Sequence, residues 1–376
     1  MVRYRRTVLH GSRLARPNRS VVPKYCGDSS RPVGLPLRDL VTPEQLPWER
    51  LAGRTLAVDG YNALYQFLAT IRQADGRLFT DSEGRVTSHL VGMLYRTTSL
   101  LAQGVRPVWV FDGAPPALKS GTLAGRFRAK EKAESEWQAA LQAGDLETAR
   151  RKASATSRLT REMVAEGKEL LDALGVPSVQ APSEGEAQAA RMAARGQVWA
   201  SASEDYDSLL FGAPRLVRGL AARGGKGRDS TAQVIDRDGL LRHLGIDGEE
   251  LILIGIVVGT DYNDGVAGYG PKKALKLVQQ HLGWEATLAK VGLDPAATTE
   301  VAELFRHPDV VDVPTPDFRE PDAARLVEVL VDRHGFSRDR VEATLRRTKS
   351  PSRKVSTPPP APGRQSQLDR FAEEPS

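Results

Sequence analysis

From Thr55 onward the chain alternates short apolar runs with longer stretches in which apolar residues recur every three or four positions. Runs of four to six apolar residues between polar borders read as strands buried on both faces, and the longer recurrence reads as amphipathic helices. The strand candidates are TLAV before Asp59, PVWVF before Asp112, VWASA before Glu204 and RLVR around Leu216. Helices are predicted over Asn62–Arg72, Ser88–Ala102 and Gly185–Arg195, with several more beyond Asp236. This alternation specifies an α/β fold, a central and mostly parallel sheet with helices on both faces. The run LILIGIVVG, from Leu251 to Gly259, is apolar on every side, which suits a buried helix and is far too short for a bilayer.

The pattern breaks in four places. Residues 1–32 are rich in Arg, Ser and Pro without a helical or strand period, and they read as a disordered extension. The compositional change at Val33 points to an initiation site read as valine, which would make 1–32 a gene-start error; a transit peptide is the rival reading. Between Pro115 and Arg161 lies a long charged helical tract, with ten Lys/Arg against five Asp/Glu over residues 114–161. It is a local basic surface whose bland alternative is a solvated helical hairpin. GGKGRDS, from Gly224 to Ser230, reads as an exposed loop, and residues 346–376, rich in Pro and Ser, read as a flexible tail.

Net charge changes the picture less than its total suggests. Of 53 Lys/Arg and 47 Asp/Glu, residues 1–32 hold eight basic residues and one acid, Asp28, leaving 45 and 46 elsewhere. A nucleic-acid partner therefore has to be argued from local surfaces. The single cysteine, Cys26, lies in the same first segment, which excludes disulfides and thiol catalysis from the rest and is in keeping with a reducing compartment.

The candidate chemistry lies in the acids. Asp59 and Asp112 each follow an apolar run, so both should sit at carboxyl ends of strands, where open α/β sheets bind ligands. Glu184 and Glu186, in APSEGEAQAA, fall in the first turn of a helix with Ser183 as its predicted N-cap. Asp205 and Asp207, in SASEDYDSLL, close a strand, and Asp261, in VVGTDYND, ends the buried helix. Any one of these has a structural alternative, since acids complement helix N-termini and Asp is common in turns. Seven on one sheet edge could not all stay ionised without cations. Oxygen ligands favour Mg2+, with Mn2+ as a substitute, over zinc. The six histidines are scattered and none pairs with a Cys, which argues against a zinc site or a His nucleophile. Carboxylate sites holding two such ions hydrolyse phosphodiesters by in-line displacement, and that is the predicted reaction.

The blocks VDGYNALYQFL, TSHLVGMLYRT, VFDGAPPALKSG, APSEGEAQAA, ASEDYDSLLFGAPRLVR and GTDYN resemble the archaeal and eukaryotic flap endonucleases, 5′ nucleases of the XPG/Rad2 type. The resemblance runs from about Val33 to Phe371. It implies a PIN-like 5′ nuclease fold with a helical arch and a helix-two-turn-helix motif. It also implies that Asp59, Asp112, Glu184 and Glu186 bind one metal ion and Asp205, Asp207 and Asp261 mainly a second. Lys119 and Arg126 match the basic pair that the family projects from its arch onto the scissile phosphate. Tyr65 matches an aromatic that stacks on a base beside the cleavage point, and Arg72, Thr87 and Arg96 match positions that grip the bent junction. GVAGYGPKKALKLV, Gly265–Val278, resembles the second half of the helix-two-turn-helix. There Gly268, Gly270, Lys272 and Lys273 would meet a duplex phosphate or a K+ ion.

In the tail, Gln365, Leu368 and Phe371 resemble the motif that docks on a PCNA-type sliding clamp, although Ala372 stands where a second aromatic is usual. The resulting plan assigns 1–32 to the extension, 33–124 to an N-terminal nuclease region and 125–160 to the arch. Residues 161–285 form an internal nuclease region with the helix-two-turn-helix, 286–345 a C-terminal helical region and 346–376 the clamp-binding tail. The expected protein is a monomeric, Mg2+-dependent 5′ flap endonuclease and 5′–3′ exonuclease acting on branched DNA in replication and repair. It would be cytoplasmic in an archaeal-type cell and nuclear in a eukaryotic one. The alternative is a non-catalytic branched-DNA-binding protein that recruits the clamp. Loss of metal ligands would mark it, and all seven acids are present.

Overall fold

The computed structural model describes residues 37–220, 231–281 and 283–349. Residues 1–32, the loop at 224–230 and the clamp-motif residues Gln365, Leu368 and Phe371 lie outside the described residues. Seven strands form one sheet: β1 (Glu44–Pro47), β2 (Thr55–Asp59), β3 (Arg106–Phe111), β4 (Ser178–Gln180), β5 (Ala200–Ala202), β6 (Arg215–Arg218) and β7 (Thr231–Asp236). Their spatial order is β1-β7-β6-β5-β2-β3-β4. The five strands from β6 to β4 run parallel, while β7 and β1 add an antiparallel edge. Register puts Asp59 opposite Val110 of β3 and Val58 opposite Ala202 of β5, so the chain leaves all three strands side by side.

Alternation explains why these strands are buried on both faces. Leu56 and Val58 of β2 and Trp109 and Phe111 of β3 point into one core, whereas Ala57, Val108 and Val110 point into another. Two helices, α1 (Gly60–Thr70) and α2 (Ser88–Ala102), line the first core with α5 (Arg161–Ala173). The helix α6 (Gly185–Ala194) covers the opposite face through Ala189, Met192 and Ala193. Between them in sequence lie α3 (Ser120–Gln142) and α4 (Leu146–Ala153), which pack on each other and match the charged tract. Their few buried residues are alanines, and none of them belongs to the apolar cores of the sheet.

A further cluster gathers α7 (Asp207–Leu210), α8 (Arg237–Leu244), α9 (Gly248–Val258) and α10 (Pro271–Val278) with the helix Pro295–Arg306. Every residue from Leu251 to Val257 is buried, as the all-round apolar run requires, and an Asp247–Glu250 capping box starts the helix. No helix among the described residues is long and apolar enough to cross a membrane.

Four strands and three helices lie where the apolar runs place them; α1 stops at Thr70, two residues short of the predicted end. The strands absent from that reading are β1, β4 and β7. Just one of the four β1 residues is buried, and β4 is a half-exposed edge strand, so neither has an apolar run to read.

Close contact between α1 and α2 depends on Gly92. A Cβ there would lie 2.2 Å from Phe67 Cγ, inside the ring's own volume. Gly92→Ala is expected to lower stability by about 1–3 kcal/mol through overpacking. Urea unfolding checks this, and an unchanged midpoint would mean that the two helices separate at little cost.

Candidate active site

Asp59 ends β2 and caps α1: its Oδ1 accepts the Asn62 amide at 3.0 Å and its Oδ2 the Ser203 hydroxyl at 3.2 Å. From the end of β3, Asp112 Oδ1 accepts the Gly185 amide at 2.8 Å and so satisfies a donor in the first turn of α6. This corrects the reading of Ser183 as that helix's cap. Glu184 occupies the capping position without a side-chain cap bond, because its carboxylate instead accepts Lys119 Nζ at 2.8 Å. The cap therefore comes from a distant segment, which local sequence cannot reveal.

Asp205 Oδ2 accepts Asn62 Nδ2 at 3.1 Å. Arg218 of β6 fixes the surrounding turn by donating to the Glu204 carbonyl at 3.0 and 2.7 Å and to the Tyr206 hydroxyl. Asp207 then opens α7. Asp261 lies three residues past the end of α9, in a turn closed by Thr260 and Asn263, rather than at the helix terminus itself. Its Oδ1 meets Arg126 Nη2 at 2.7 Å, its Oδ2 lies 3.3 Å from Lys119 Nζ, and its carbonyl accepts the Thr122 hydroxyl at 2.7 Å.

Five of the seven acids have raised carboxyls, each pushed up by burial and by a neighbouring acid. Burial, then the charge of Asp112, pushes the Asp59 carboxyl up to about 8. Burial and Glu184 raise Asp112 to about 6, and burial and Asp205 raise Asp207 to about 8. Burial with Asp207 raises Glu186, and burial with Asp261 raises Asp205. Two buried oxygens, Glu186 Oε1 and Asp207 Oδ1, have no hydrogen-bond partner. Lys119 is held charged: burial opposes the ammonium, but Glu184 and Asp261 outweigh it.

Among the described residues no three side chains converge tightly enough to ligate one ion directly as they stand. Lys119 and Arg126 reach in among them instead. The donor set nevertheless suits a hard divalent cation. It is all oxygen, crowded and desolvated, and it leaves one buried oxygen unpaired on Glu186 and one on Asp207, two acids that repel each other.

Residues 37–133 match the XPG N-terminal domain and residues 175–261 the XPG I-region. Flap endonuclease 1 of Aeropyrum pernix is 48% identical over 353 residues, covering 90% of this chain and 99% of that protein. The chain belongs to the flap endonuclease family. The solved flap endonuclease-1 from Methanococcus jannaschii superposes with a TM-score of 0.67 at 39% identity, over 84% of this chain and 98% of that one. The catalytic core of Rad2 in complex with DNA substrate shares the fold at a TM-score of 0.62 and 23% identity, over 81% and 96% of the two chains.

The other family positions fall in two groups. Tyr65 projects an exposed ring from α1, with Lys130 Nζ of the arch 4.4 Å from its centre. Gly270 caps α10, Lys272 is exposed, and Lys273 Nζ donates to the Gly268 carbonyl at 2.9 Å. In contrast, Arg72 is engaged within the protein, donating to the Leu68 and Gly76 carbonyls at 2.7 Å each and to Ser157 at 3.1 Å. Thr87 is buried, and Arg96 lies 6.0 Å over the Phe67 ring. Sequence reasoning missed Asn62, Ser203, Thr122 and Arg218; for Asn62 a signal existed, its spacing of three from Asp59.

With divalent cations chelated at neutral pH, Asp207→Asn is expected to raise the melting temperature by a few degrees, since the parent must take up a proton to bury this carboxyl beside Asp205 and the amide need not. Added Mn2+ should then stabilise the variant less than the parent. A variant that melts lower in chelator and gains the same increment from Mn2+ would show that Asp207 is structural.

Proposed function

We propose that this protein cuts branched DNA as a structure-specific 5′ flap endonuclease, hydrolysing a phosphodiester near the flap junction with two Mg2+ ions. A 5′–3′ exonuclease activity on nicks and gaps would accompany it in DNA replication and repair. The observation that supports this reading is the crowding of carboxylates that raise one another at one sheet edge, two with unpaired buried oxygens, with two arch cations among them. Asp59, Asp112, Glu184 and Glu186 would hold one ion and Asp205, Asp207 and Asp261 mainly the other, some through water, with Mn2+ as a substitute. Such ions, when bound, supply an activated water and charge compensation at the scissile phosphate.

The protein's own groups do the rest. Lys119 and Arg126 lie at the mouth of the acidic cluster, where their donors exchange carboxylate oxygens for those of an incoming phosphate and stabilise its developing charge. The exposed Tyr65 ring offers a stacking surface for a base freed from its pair. Gly268, Gly270, Lys272 and Lys273, at the start of α10, would hold a duplex phosphate or a K+ ion, giving sequence-independent and salt-sensitive binding. Arg96 would contact the bent junction, while the buried Thr87 would serve it only by supporting the start of α2 and Arg72 by fixing the loop that ends at Gly76. The tail residues Gln365, Leu368 and Phe371 would dock on a PCNA-type clamp, weakly because Ala372 replaces an aromatic. A monomer acting in the cytoplasm suits this plan.

A clamp-recruiting protein without catalysis would have no use for buried carboxylates left unpaired, since each opposes folding. The test is a labelled double-flap substrate with and without Mg2+, beside Asp205→Ala. Cleavage should need both the metal and Asp205, and equal cleavage by the variant would sink the mechanism. Lys119→Ala is expected to lower kcat by about 10²–10³-fold with little change in KM. A rise in KM at constant kcat would assign Lys119 to binding alone.

A further inference from the structure

We propose that Asn62 and Ser203, neither of which supplies a ligand, are positioning residues that hold the carboxylates of the two ion sites in register with each other. This rests on the metal-dependent reading above. Asp59 ends β2 and Asp205 follows β5, and each was assigned to a different ion. Asn62 joins them directly: its backbone amide donates to Asp59 Oδ1 at 3.0 Å and its side-chain amide to Asp205 Oδ2 at 3.1 Å. Ser203 closes the same link from the other side. Its hydroxyl donates to Asp59 Oδ2 at 3.2 Å and accepts the Asp205 amide at 3.1 Å.

The four bonds form one closed circuit through two strand ends, and chemistry fixes their direction. Ionised, as they must be to hold a cation, these carboxylates can only accept, so the Asn62 amide then turns its nitrogen to Asp205 and Ser203 points its proton at Asp59. Each donor takes one acceptor site on its carboxylate oxygen and leaves another for an ion, which is how groups outside the ligand shell set ligand orientation. Both residues sit where that role demands. Ser203 is buried, and Asn62 stands in the first turn of α1, whose start is fixed by Asp59 itself. Loss of such a partner lowers metal affinity or activity by about 10–100-fold.

Asn62→Ala removes the arm to Asp205 but keeps the backbone amide that Asp59 caps, so α1 retains its start. Ser203→Ala removes the arm to Asp59. The full-length protein is titrated with Mn2+ without DNA, following the free ion by electron paramagnetic resonance. Melting in chelator and the kcat and KM for a double flap are measured beside it. Both variants should lose 10-fold or more in Mn2+ affinity for at least one site and fall in kcat with KM within about threefold, while melting in chelator like the parent. Mn2+ affinities within twofold of the parent overturn the inference, as does a weakened affinity matched by a large drop in melting temperature in chelator, which would make the two residues merely structural. Asp205→Ala separates the two failures. A parent that binds no Mn2+, or binds it no better than Asp205→Ala, refutes the metal reading itself; a parent that binds and an Asp205→Ala that does not, with Asn62→Ala like the parent, refutes this inference alone.

Discussion

The constraint on which the rest depends is the crowding of desolvated negative charge at one edge of a parallel sheet. Parallel strands end together, so acids placed just past β2, β3 and β5 must approach one another as the sheet forms. Folding cannot avoid the repulsion; it can only distribute it. Part is met by backbone donors, as at Gly185 and Asn62, and part by cations. What is left shows in the raised carboxyls of Asp59 and Asp207 and in two oxygens without a partner. Cores on both faces of the sheet hold this edge closed, and Gly92, by letting α1 approach α2, belongs to that support.

Compensating charge comes from an element outside the sheet. Lys119 immediately precedes α3 and Arg126 lies within it, so the same helix that rises away as the arch presents its basic start to the acids. This resolves the near-neutral balance of the chain outside residues 1–32. Affinity for a polyanion need not come from net charge when cations sit where the proposed mechanism would bring the phosphate. Other contacts of the arch include the Trp137 Nε1 bond to the Asp75 carbonyl at 3.3 Å, the Arg72 bond to Ser157 and Lys130 over Tyr65, while Lys152 pairs with Glu136 within the hairpin itself.

How much of this was legible in the sequence follows from the range of the interaction that fixes each feature. The buried strands and α9 were legible because burial on both faces writes a continuous apolar run. The edge strands β1 and β4 were not, since an exposed edge imposes no such pattern. Asp59, Asp112 and Asp205 were legible from strand ends and Glu184 and Glu186 from a helix start, whereas Asp261 lies in a turn three residues beyond the helix that was read as ending on it. The partners of the acids were mostly not legible: Asp112 caps a helix 73 residues away and Arg218 clamps a turn from the next strand. The misassigned Ser183 cap has the same cause, for a local rule was applied where a distant carboxylate prevails.

Asp261 shows why the elements cannot act separately. Its carboxylate holds Lys119 and Arg126, and its carbonyl holds Thr122, so one residue anchors the base of the arch three times. The chain then turns back upon α9 at Gly265, where φ is +68° and a Cβ would lie 2.4 Å from the Val258 carbonyl, and enters α10 with Lys272 and Lys273. No residue but glycine makes that return without strain. The surface proposed to grip duplex DNA is therefore fixed, within a few residues, to the acid that holds the arch cations in place. On the proposed reading, a duplex seated on α10 would have its distance to the acids set by this connection, and one seated elsewhere would meet the arch cations out of register. Discrimination by DNA shape would then follow from the rigid connection between the two surfaces.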